Sequence, residues 1–302
     1  MELTKMMAPF FNMSKNRALD IYTSRKDILT FLTFYPELTN IALDRFYWHF
    51  PIDYKQLNSD YLERLLHFRG RACLINDRTK GYLIADFVVF DSSYNMLYEP
   101  QIIRAIDVVT GKDIGTYTNN GDNKEFVIIP NNELWVPSDI GIIGFVDDIV
   151  NGYNAIDNNN NQQKFPITFQ GTKDQKADME AVFKKLNSDD PYVFVNKEFN
   201  LDGITKLDIS APYMVKEIYD YIDRKKADAM TYLGVNNGNT FKQSGVTVEE
   251  VNGNNDLVSK IADSYIIPRQ KALQKIVTTF PELADTELET NLGDNIFTLK
   301  EV

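Results

Sequence analysis

Apolar residues recur at helical spacing through the first seventy positions of the chain. Residues 28–32 form one apolar run, Pro36 is expected to interrupt its helix, and residues 38–46 continue the helical spacing until Pro51. A shorter repeat covers residues 60–68, and an Asn-Ser pair that can cap a helix precedes it. The pattern therefore predicts three helical segments separated by the two prolines.

Residues 71–130 show the pattern of β-strands instead. β-branched and aromatic residues form four runs, and turn signals rich in Asn, Asp and Gly separate them. The runs are 72–75, 82–90, 102–109 and 126–129. They predict a small antiparallel sheet or barrel.

Two long helices are predicted in the second half of the chain. Apolar positions recur on one face from Ile140 to Tyr153, and the asparagine run 158–161 is expected to end that helix. A compact α/β insert follows, with a strand expected at 165–169, a helix near 173–186 and a second strand at 191–195. The second long helix is predicted to open with Pro212 in its first turn and to close at Gly234, since glycine suits a left-handed C-cap.

The chain after the second long helix is predicted to begin with a loop. Residues 236–255 are rich in Asn and Gly and poor in apolar side chains, which is typical of a mobile segment. A last helix is expected from Asp256, kinked or broken at Pro268 and ended by Pro281. The acidic tail from Glu282 is expected to be weakly structured at most.

Composition and charge narrow the function. The 302 residues are 43% hydrophobic, enough for a substantial core, and the net charge of -11 excludes a general basic surface for nucleic acid. A single cysteine excludes a disulfide framework and makes secretion improbable, and no segment approaches the roughly 18 uncharged apolar residues of a membrane helix. Between Glu125 and Gln163 there are six acidic residues and no Lys or Arg, which predicts a purely acidic face.

Residues able to support catalysis or bind a metal are sparse. The sequence contains no P-loop and no His-Glu-x-x-His motif, and His49, His67 and Cys73 lack the spacing of a zinc site. Residues 157–161 resemble the start of a calcium loop, but the later glycine and glutamate of such a loop are missing. Adjacent acids such as those at 147–148 are expected to be solvated, although a magnesium-dependent nuclease stays an alternative. We therefore predict a non-enzymatic protein without cofactor or metal.

Three groups of motifs resemble the portal protein (connector, or upper collar) of small short-tailed bacteriophages that replicate by protein priming. The first group comprises Ser-Ala-Pro-Tyr-Met-Val at 210–215, Met-Thr-Tyr-Leu-Gly-Val-Asn-Asn at 230–237 and Val-Thr-Val-Glu-Glu-Val at 246–251. The second is Phe-Tyr-Trp-His-Phe-Pro at 46–51, followed by Tyr-Leu-Glu-Arg at 61–64. The third is Val-Phe at 182–183 with Pro-Tyr-Val-Phe at 191–194. They occur in the family's order over roughly residues 40 to 280.

The resemblance implies an α+β portal fold with two tilted stem helices. The implied parts are an N-terminal wing at 1–134, stem helices at 135–157 and 207–235, a clip at 158–206, a channel loop at 236–255 and a C-terminal wing at 256–302. It also implies a ring of about twelve subunits at a capsid vertex. The implied partners are double-stranded DNA, a packaging ATPase, the major capsid protein and lower collar or tail proteins, with no membrane. The strongly basic N-terminus that the type member associates with a packaging RNA is absent, so that partner is not carried over. The alternative is another ring-forming head-tail adaptor of a virion.

The resemblance assigns candidate residues to three parts of such a ring. The channel-loop candidates are Asn236, Asn237, Asn239, Lys242, Gln243, Ser244, Thr247, Glu249, Asn252 and Asn254. The candidates for stem and subunit contacts are Ile143, Val146, Val150, Tyr213, Met214, Ile218, Tyr221 and Ile222. The clip candidates for docking the motor and the tail are Gln170, Thr172, Lys173, Asp174 and Lys176.

Overall fold

The computed structural model describes residues 25–90, 93–121, 123–164, 167–170, 205–208, 212–236 and 248–292. The chain forms two compact units. The first unit contains Met1–Val150 and Ile222–Val302, and the second contains Asn151–Tyr221. Both helices and strands are present, which confirms the predicted α+β class.

The described part of the chain contains five α-helices and a short 3-10 helix at Pro281–Leu283. The α-helices are α1 (Arg25–Leu43), α2 (Ser59–Arg69), α3 (Ser138–Lys164), α4 (Val215–Tyr232) and α5 (Val248–Thr279). Helix α2 confirms the predicted N-cap, and its end at Arg69 lies one residue beyond the predicted end. The Asn58 side chain accepts the Tyr61 amide hydrogen, and Gly70, with φ 77°, donates its amide hydrogen to the Leu66 carbonyl.

Two expected helix breaks are wrong, because Pro36 lies inside α1 and the asparagine run 158–161 lies inside α3. Pro268, where a kink or a break was expected, lies inside α5, so the helix is not broken there. An internal proline removes one amide donor, but buried side chains on both sides keep each segment packed. In α1 these include Tyr35 and Leu38, which are almost fully buried. Tertiary packing therefore outweighs the local signal.

The sheet of the first unit is antiparallel, as predicted, and has six strands in the order β6-β5-β4-β3-β2-β7. The strands are β2 (Arg71–Asp77), β3 (Gly81–Val89), β4 (Ile102–Ile106), β5 (Asp113–Asn120), β6 (Asn123–Lys124) and β7 (Phe126–Pro130). All four predicted runs become strands. Strand β5 was not predicted because its sequence is polar, and Tyr117 is its one buried side chain.

Two segments form strands where the sequence predicted something else. Residues Phe46–His49 form β1 and pair antiparallel with β10 (Glu287–Thr290), with Trp48 opposite Leu288. A continued helix was predicted for the first segment and a weakly structured tail for the second. The pairing follows from alternation, because Phe46 and Trp48 are buried whereas Tyr47 and His49 are exposed.

The second unit contains a two-stranded antiparallel pair, β8 (Ile167–Gln170) with β9 (Thr205–Asp208). A strand was expected at the first of these positions, but none was predicted at the second. The helix expected near residues 173–186 and the strand expected at 191–195 lie outside the described residues.

The first unit buries two large apolar clusters besides the one on the sheet. One lies among α2, α5, β1, β2 and β10, and it includes Trp48, Leu65 and Ile276. The other lies among α1, α3 and α4, and it includes Phe31 and Val146. Both long helices α3 and α4 are thus packed against α1 in this unit.

A buried histidine lies beside the second cluster. His67 on α2 is 2% exposed, and within the described residues neither ring nitrogen has a hydrogen-bond partner. Its Nε2 is 4.0 Å from Asp139 Oδ1, and Asp139 also accepts a hydrogen bond from the Tyr35 hydroxyl. Burial, with the positive charge of Arg45 second, lowers the pKa of His67 to about 3. The imidazole is therefore neutral at pH 7.

Acid should destabilise the protein through His67. Its pKa is about 3 when folded and 6.5 ordinarily, so below about pH 6.5 the unfolded chain binds more protons. The free energy of unfolding should fall by about 2 kcal/mol between about pH 7 and pH 5, and His67→Leu should remove most of that loss. Urea-unfolding midpoints measure this. His49→Gln, at the other and exposed histidine, is the control, and an unchanged pH dependence in His67→Leu would contradict the assignment.

Candidate functional site: the anchored helix pair

The two long helices that the sequence predicted as stems are α3 and α4. Helix α3 begins at a buried polar network centred on Arg269, and α4 ends beside a second buried arginine, Arg45. The Arg269 guanidinium is fully buried and makes a bidentate pair with Glu63, at 3.1 Å and 2.8 Å. It also donates to the backbone carbonyls of Asn131 and Tyr265 and lies 4.1 Å from the centre of the Phe46 ring. Every nitrogen of the guanidinium is thus paired, as a buried cation requires.

The network continues into β1 and into the start of α3. Trp48 donates its indole hydrogen to Glu63 Oε1 at 2.9 Å. The Asn131 side chain accepts a hydrogen bond from Arg269, and its amide nitrogen donates to the Val136 carbonyl and to Ser138 Oγ, the latter at 2.9 Å. Because Ser138 is the first residue of α3, the buried pair fixes where that helix begins.

A second buried arginine fixes the end of α4. Arg45 donates to the carbonyls of Ala42 and Leu233, and its guanidinium lies 4.3 Å from the centre of the Tyr265 ring. Burial, with the charge of Arg269 second, lowers the pKa of Arg45 to about 10, so it stays protonated at pH 7. Leu233 directly follows the last residue of α4, and its carbonyl is one that the helix itself cannot satisfy.

Glycine is required where α4 ends against α5. Gly234 has φ 72°, and a Cβ there would lie 2.6 Å from Ala262 Cα. The Tyr265 hydroxyl donates to the Tyr232 carbonyl at 3.3 Å. The predicted left-handed C-cap is confirmed, and the structure adds that the cap is pressed against α5.

Helices α3 and α4 contact each other closely in the first unit. A Cβ at Gly141 would lie 2.4 Å from Cζ of Tyr232, whose ring also packs on Phe145 at 5.7 Å between centroids. Lys225 Nζ lies 2.9 Å from Asp148 Oδ2. The glycine permits an approach that a larger residue would block.

In the second unit, Asn159 holds the segment before α4. Its amide nitrogen donates to the Pro212 carbonyl at 2.9 Å, and its Oδ1 accepts the Met214 amide hydrogen at 3.2 Å. The backbone at 212–214 is therefore bonded to a side chain of α3. This explains why α4 begins at Val215, and the prediction that Pro212 lies in its first turn is wrong.

The acidic stretch between Glu125 and Gln163 does not form the purely acidic face that was predicted. Glu125 lies 3.4 Å from Arg78, and Glu133 lies 2.6 Å from Lys271. Asp148 pairs with Lys225 as described above, and Asp139 is almost fully buried. Basic residues from other elements neutralise much of this stretch, which the local sequence could not show.

The predicted subunit-contact residues divide into two sets. Val146, Val150 and Ile222 are at most 1% exposed, so they lie in the chain's own interior. Ile143 is partly buried against the same apolar cluster. In contrast, Tyr213, Met214 and Tyr221 are exposed by 41% or more, and Ile218 is half-buried.

The channel-loop candidates are described only at their two ends. Asn236 is exposed and follows the C-cap, whereas Asn237, Asn239, Lys242, Gln243, Ser244 and Thr247 lie outside the described residues. Glu249, Asn252 and Asn254 lie in α5, so the predicted extent of the loop to residue 255 is wrong.

Of the clip candidates, Gln170 is the last residue of β8. Thr172, Lys173, Asp174 and Lys176 lie outside the described residues. The role proposed for these residues therefore stays a prediction.

The anchoring residues Arg45, Glu63 and Arg269 were missed as functional candidates. Glu63 lies in a motif that carried the family resemblance, together with Trp48, and the two side chains meet in the structure. The available signal was Arg269, because its neighbours at helical spacing, which include Ile266, Ala272 and Leu273, are apolar. Its partner was not evident, because Glu63 lies 206 residues away.

Within the described residues, no group of three or more His, Cys, Asp or Glu side chains could bind a metal ion. No helix in that same part of the chain is long and apolar enough to cross a membrane.

Comparison with known proteins identifies the family. The profile of the family described as Phage Connector (GP10) matches residues 15–284. Among solved structures, the chain is similar to one in the portal and tail of native bacteriophage P68, with 16% identity, a TM-score of 0.42, and 98% of this chain and 93% of that chain covered. It is also similar to an HK97 family phage portal protein from Corynebacterium diphtheriae, with 11% identity, a TM-score of 0.46, and 86% and 91% covered.

The profile match extends over most of the sequence, and the chain belongs to the phage connector family. Connectors are structural proteins of the bacteriophage virion, located at the portal vertex where head and tail join. The family and the virion location predicted from the sequence are confirmed.

Removing Arg269 should be far more damaging than removing an exposed lysine of the same helix. Arg269→Ala leaves the Glu63 carboxylate buried without its partner, so it should cost about 3–5 kcal/mol in the free energy of unfolding. Lys271→Ala breaks an exposed pair with Glu133 and should cost less than about 1 kcal/mol. Urea titrations of both variants measure the difference, and similar costs would contradict a central role for Arg269.

Two glycines of α3 provide a matched test of the contact between α3 and α4. Gly141→Ala would force the Tyr232 ring to move, so we expect a loss of about 1–3 kcal/mol. Gly144→Ala places a Cβ with no described atom within 4 Å, and it should be neutral or stabilise the helix by up to about 1 kcal/mol. Thermal unfolding of both variants measures the sign of each change. Equal effects would mean that this helix contact is loose.

Proposed function

We propose that this protein is the portal subunit, which forms a closed homo-oligomeric ring of about twelve copies around a channel for double-stranded DNA. DNA would enter through the ring during packaging and leave through it during ejection. The observation that carries the proposal is the connector-family match over residues 15–284.

The helices α3 and α4 are proposed as the stems of the ring. Their anchored ends support this role, because the Arg269 network holds the start of α3 and Arg45 holds the end of α4. The exposed Tyr213, Met214 and Tyr221 are proposed as contacts with a neighbouring subunit. Large apolar side chains in solvent are a common feature of surfaces that become buried on assembly.

The insert at residues 158–206 is proposed as the clip that docks the packaging ATPase and later the tail. The second compact unit, Asn151–Tyr221, contains it. The parts at 1–134 and 256–302 are proposed as the wing, which would contact the major capsid protein. The segment between Asn236 and α5 is proposed as the channel loop, since it directly follows the cap at Gly234.

The charge of the chain is compatible with DNA sliding through the ring. Each subunit has a net charge of -11, so the ring as a whole repels phosphates. Tight phosphate contacts from a basic surface would slow translocation, because each would have to break at every step. The proposed loop is nearly uncharged, with Lys242 as its one basic residue.

Purified full-length protein should form rings with a central hole in electron micrographs. Met214→Asp places a charge on the proposed subunit contact and should reduce ring formation, whereas Val109→Asp, at another half-exposed apolar residue, should not. Light scattering measures the mass. A stable monomer near 34.7 kDa at micromolar concentration would overturn the proposal.

The loop assignment can be separated from ring formation. Deletion of residues 238–245 should leave rings intact, because the described contacts of α4 and α5 do not use that segment, but it should reduce retention of packaged DNA in phage heads. Normal retention in normally assembled heads would exclude the channel-loop role. Loss of rings would show instead that the segment supports assembly.

A further inference from the structure

The loop between β3 and β4 exposes three consecutive large apolar side chains. Met96, Leu97 and Tyr98 are 99%, 79% and 85% exposed. Isolated apolar residues are common on protein surfaces, but contiguous ones usually mark a contact site. We define residues 93–101 as the β3–β4 loop.

The β3–β4 loop is held in one conformation. Asn95 Oδ1 accepts the amide hydrogens of Leu97 and Glu99, each at 2.9 Å, and the Tyr98 amide donates back to the Asn95 carbonyl. Glu99 Oε1 lies 3.0 Å from Lys275 Nζ on α5. Tyr98 has φ 59°, which is strained for a residue other than glycine and persists only where other contacts enforce it. The loop should therefore lose little conformational entropy when it binds a partner.

A second exposed apolar residue lies at the other end of β3. Ile52 is 87% exposed on a turn in which the Tyr54 amide donates to the Pro51 carbonyl. The Tyr54 ring packs edge-on against Tyr82, the second residue of β3, at 5.1 Å. The β3–β4 loop begins four residues after Val89, the last residue of the same strand. Strand β3 has nine residues and is therefore roughly 30 Å long at about 3.3 Å per residue.

This arrangement suits contact between identical subunits. A closed ring uses a heterologous contact, in which one surface of each subunit meets a different surface of the next. Copies that each carry a net charge of -11 repel one another unless the meeting surfaces are locally neutral. Residues 94–98 and residues 50–52 contain no charged side chain, and the adjacent Glu99 is paired with Lys275.

Taking the ring of the proposed function as given, we propose that the β3–β4 loop of one subunit docks on Ile52 of the next. The partner is a second copy of this chain, and Leu97 and Tyr98 supply the buried apolar contact. The loop thus adds a second subunit contact to the one proposed for the stems.

Cysteine cross-linking of the full-length protein tests this contact. The native Cys73 is fully buried, and burial raises the pKa of its thiol, so it should not react. Leu97→Cys combined with Ile52→Cys, treated with a short bis-maleimide, should give a ladder of covalent oligomers beyond the dimer in denaturing gels. Each single variant should stay monomeric in the same gel. Leu97→Cys combined with Leu29→Cys, at an exposed apolar residue of α1, is the matched control.

The possible outcomes distinguish this contact from the ring itself. The loop contact would be overturned if rings form but the Leu97→Cys, Ile52→Cys variant gives no more cross-linked oligomers than the Leu97→Cys, Leu29→Cys control. That result would leave the proposed function intact. A monomeric wild-type protein would overturn both. Leu97→Asp gives a second readout, because it should reduce the ring fraction at least tenfold at micromolar concentration while the monomer stays folded by circular dichroism. If Leu97→Asp assembles into rings as fully as wild type, the loop contact between subunits is overturned. If that variant also fails to bind another virion protein, the loop contacts that protein instead.

Discussion

The buried pair between Arg269 and Glu63 constrains the first unit more than any apolar contact does. An apolar cluster tolerates small shifts of its side chains. A buried guanidinium that loses a hydrogen bond is left partly unpaired in the interior, and this lowers the free energy of unfolding. Its partners come from α2, α5 and the segment that leads into α3. The position of one side chain thus fixes three segments that are distant in sequence, and the apolar clusters pack around that arrangement.

Arg45 extends the same constraint to helix α4. It contacts Tyr265, whose carbonyl accepts a hydrogen bond from Arg269, and it donates to the carbonyl that follows α4. The start of α3 and the end of α4 are therefore both positioned through α5. A chain that assembles into a ring benefits from this, because a neighbour that displaces one helix must also disturb buried charges.

The sequence predicted those features that depend on neighbouring residues. The Asn58 cap, the glycine at 234 and the four apolar strand runs are local signals, and each was confirmed. The failures depend on distant partners. Helix α1 continues through Pro36 because residues far along the chain bury its sides, and β1 is a strand because residues 287–290 pair with it. The Arg269 pair was missed for the same reason, since charge in a sequence does not reveal which residue it will meet.

Apolar periodicity also cannot distinguish the interior of a chain from the surface between chains. Val146 and Met214 were both predicted as subunit contacts, but Val146 is fully buried within its own chain and Met214 is 46% exposed. A side chain already buried in one subunit gains nothing from a second copy. The surface available for assembly is therefore the apolar area that the fold leaves exposed. In the described part of the chain, that area includes the segment before α4, the β3–β4 loop and the turn at Ile52. The last two were absent from the sequence-based prediction because neither has a periodic pattern, and the exposure of a single loop residue depends on how the whole chain folds around it.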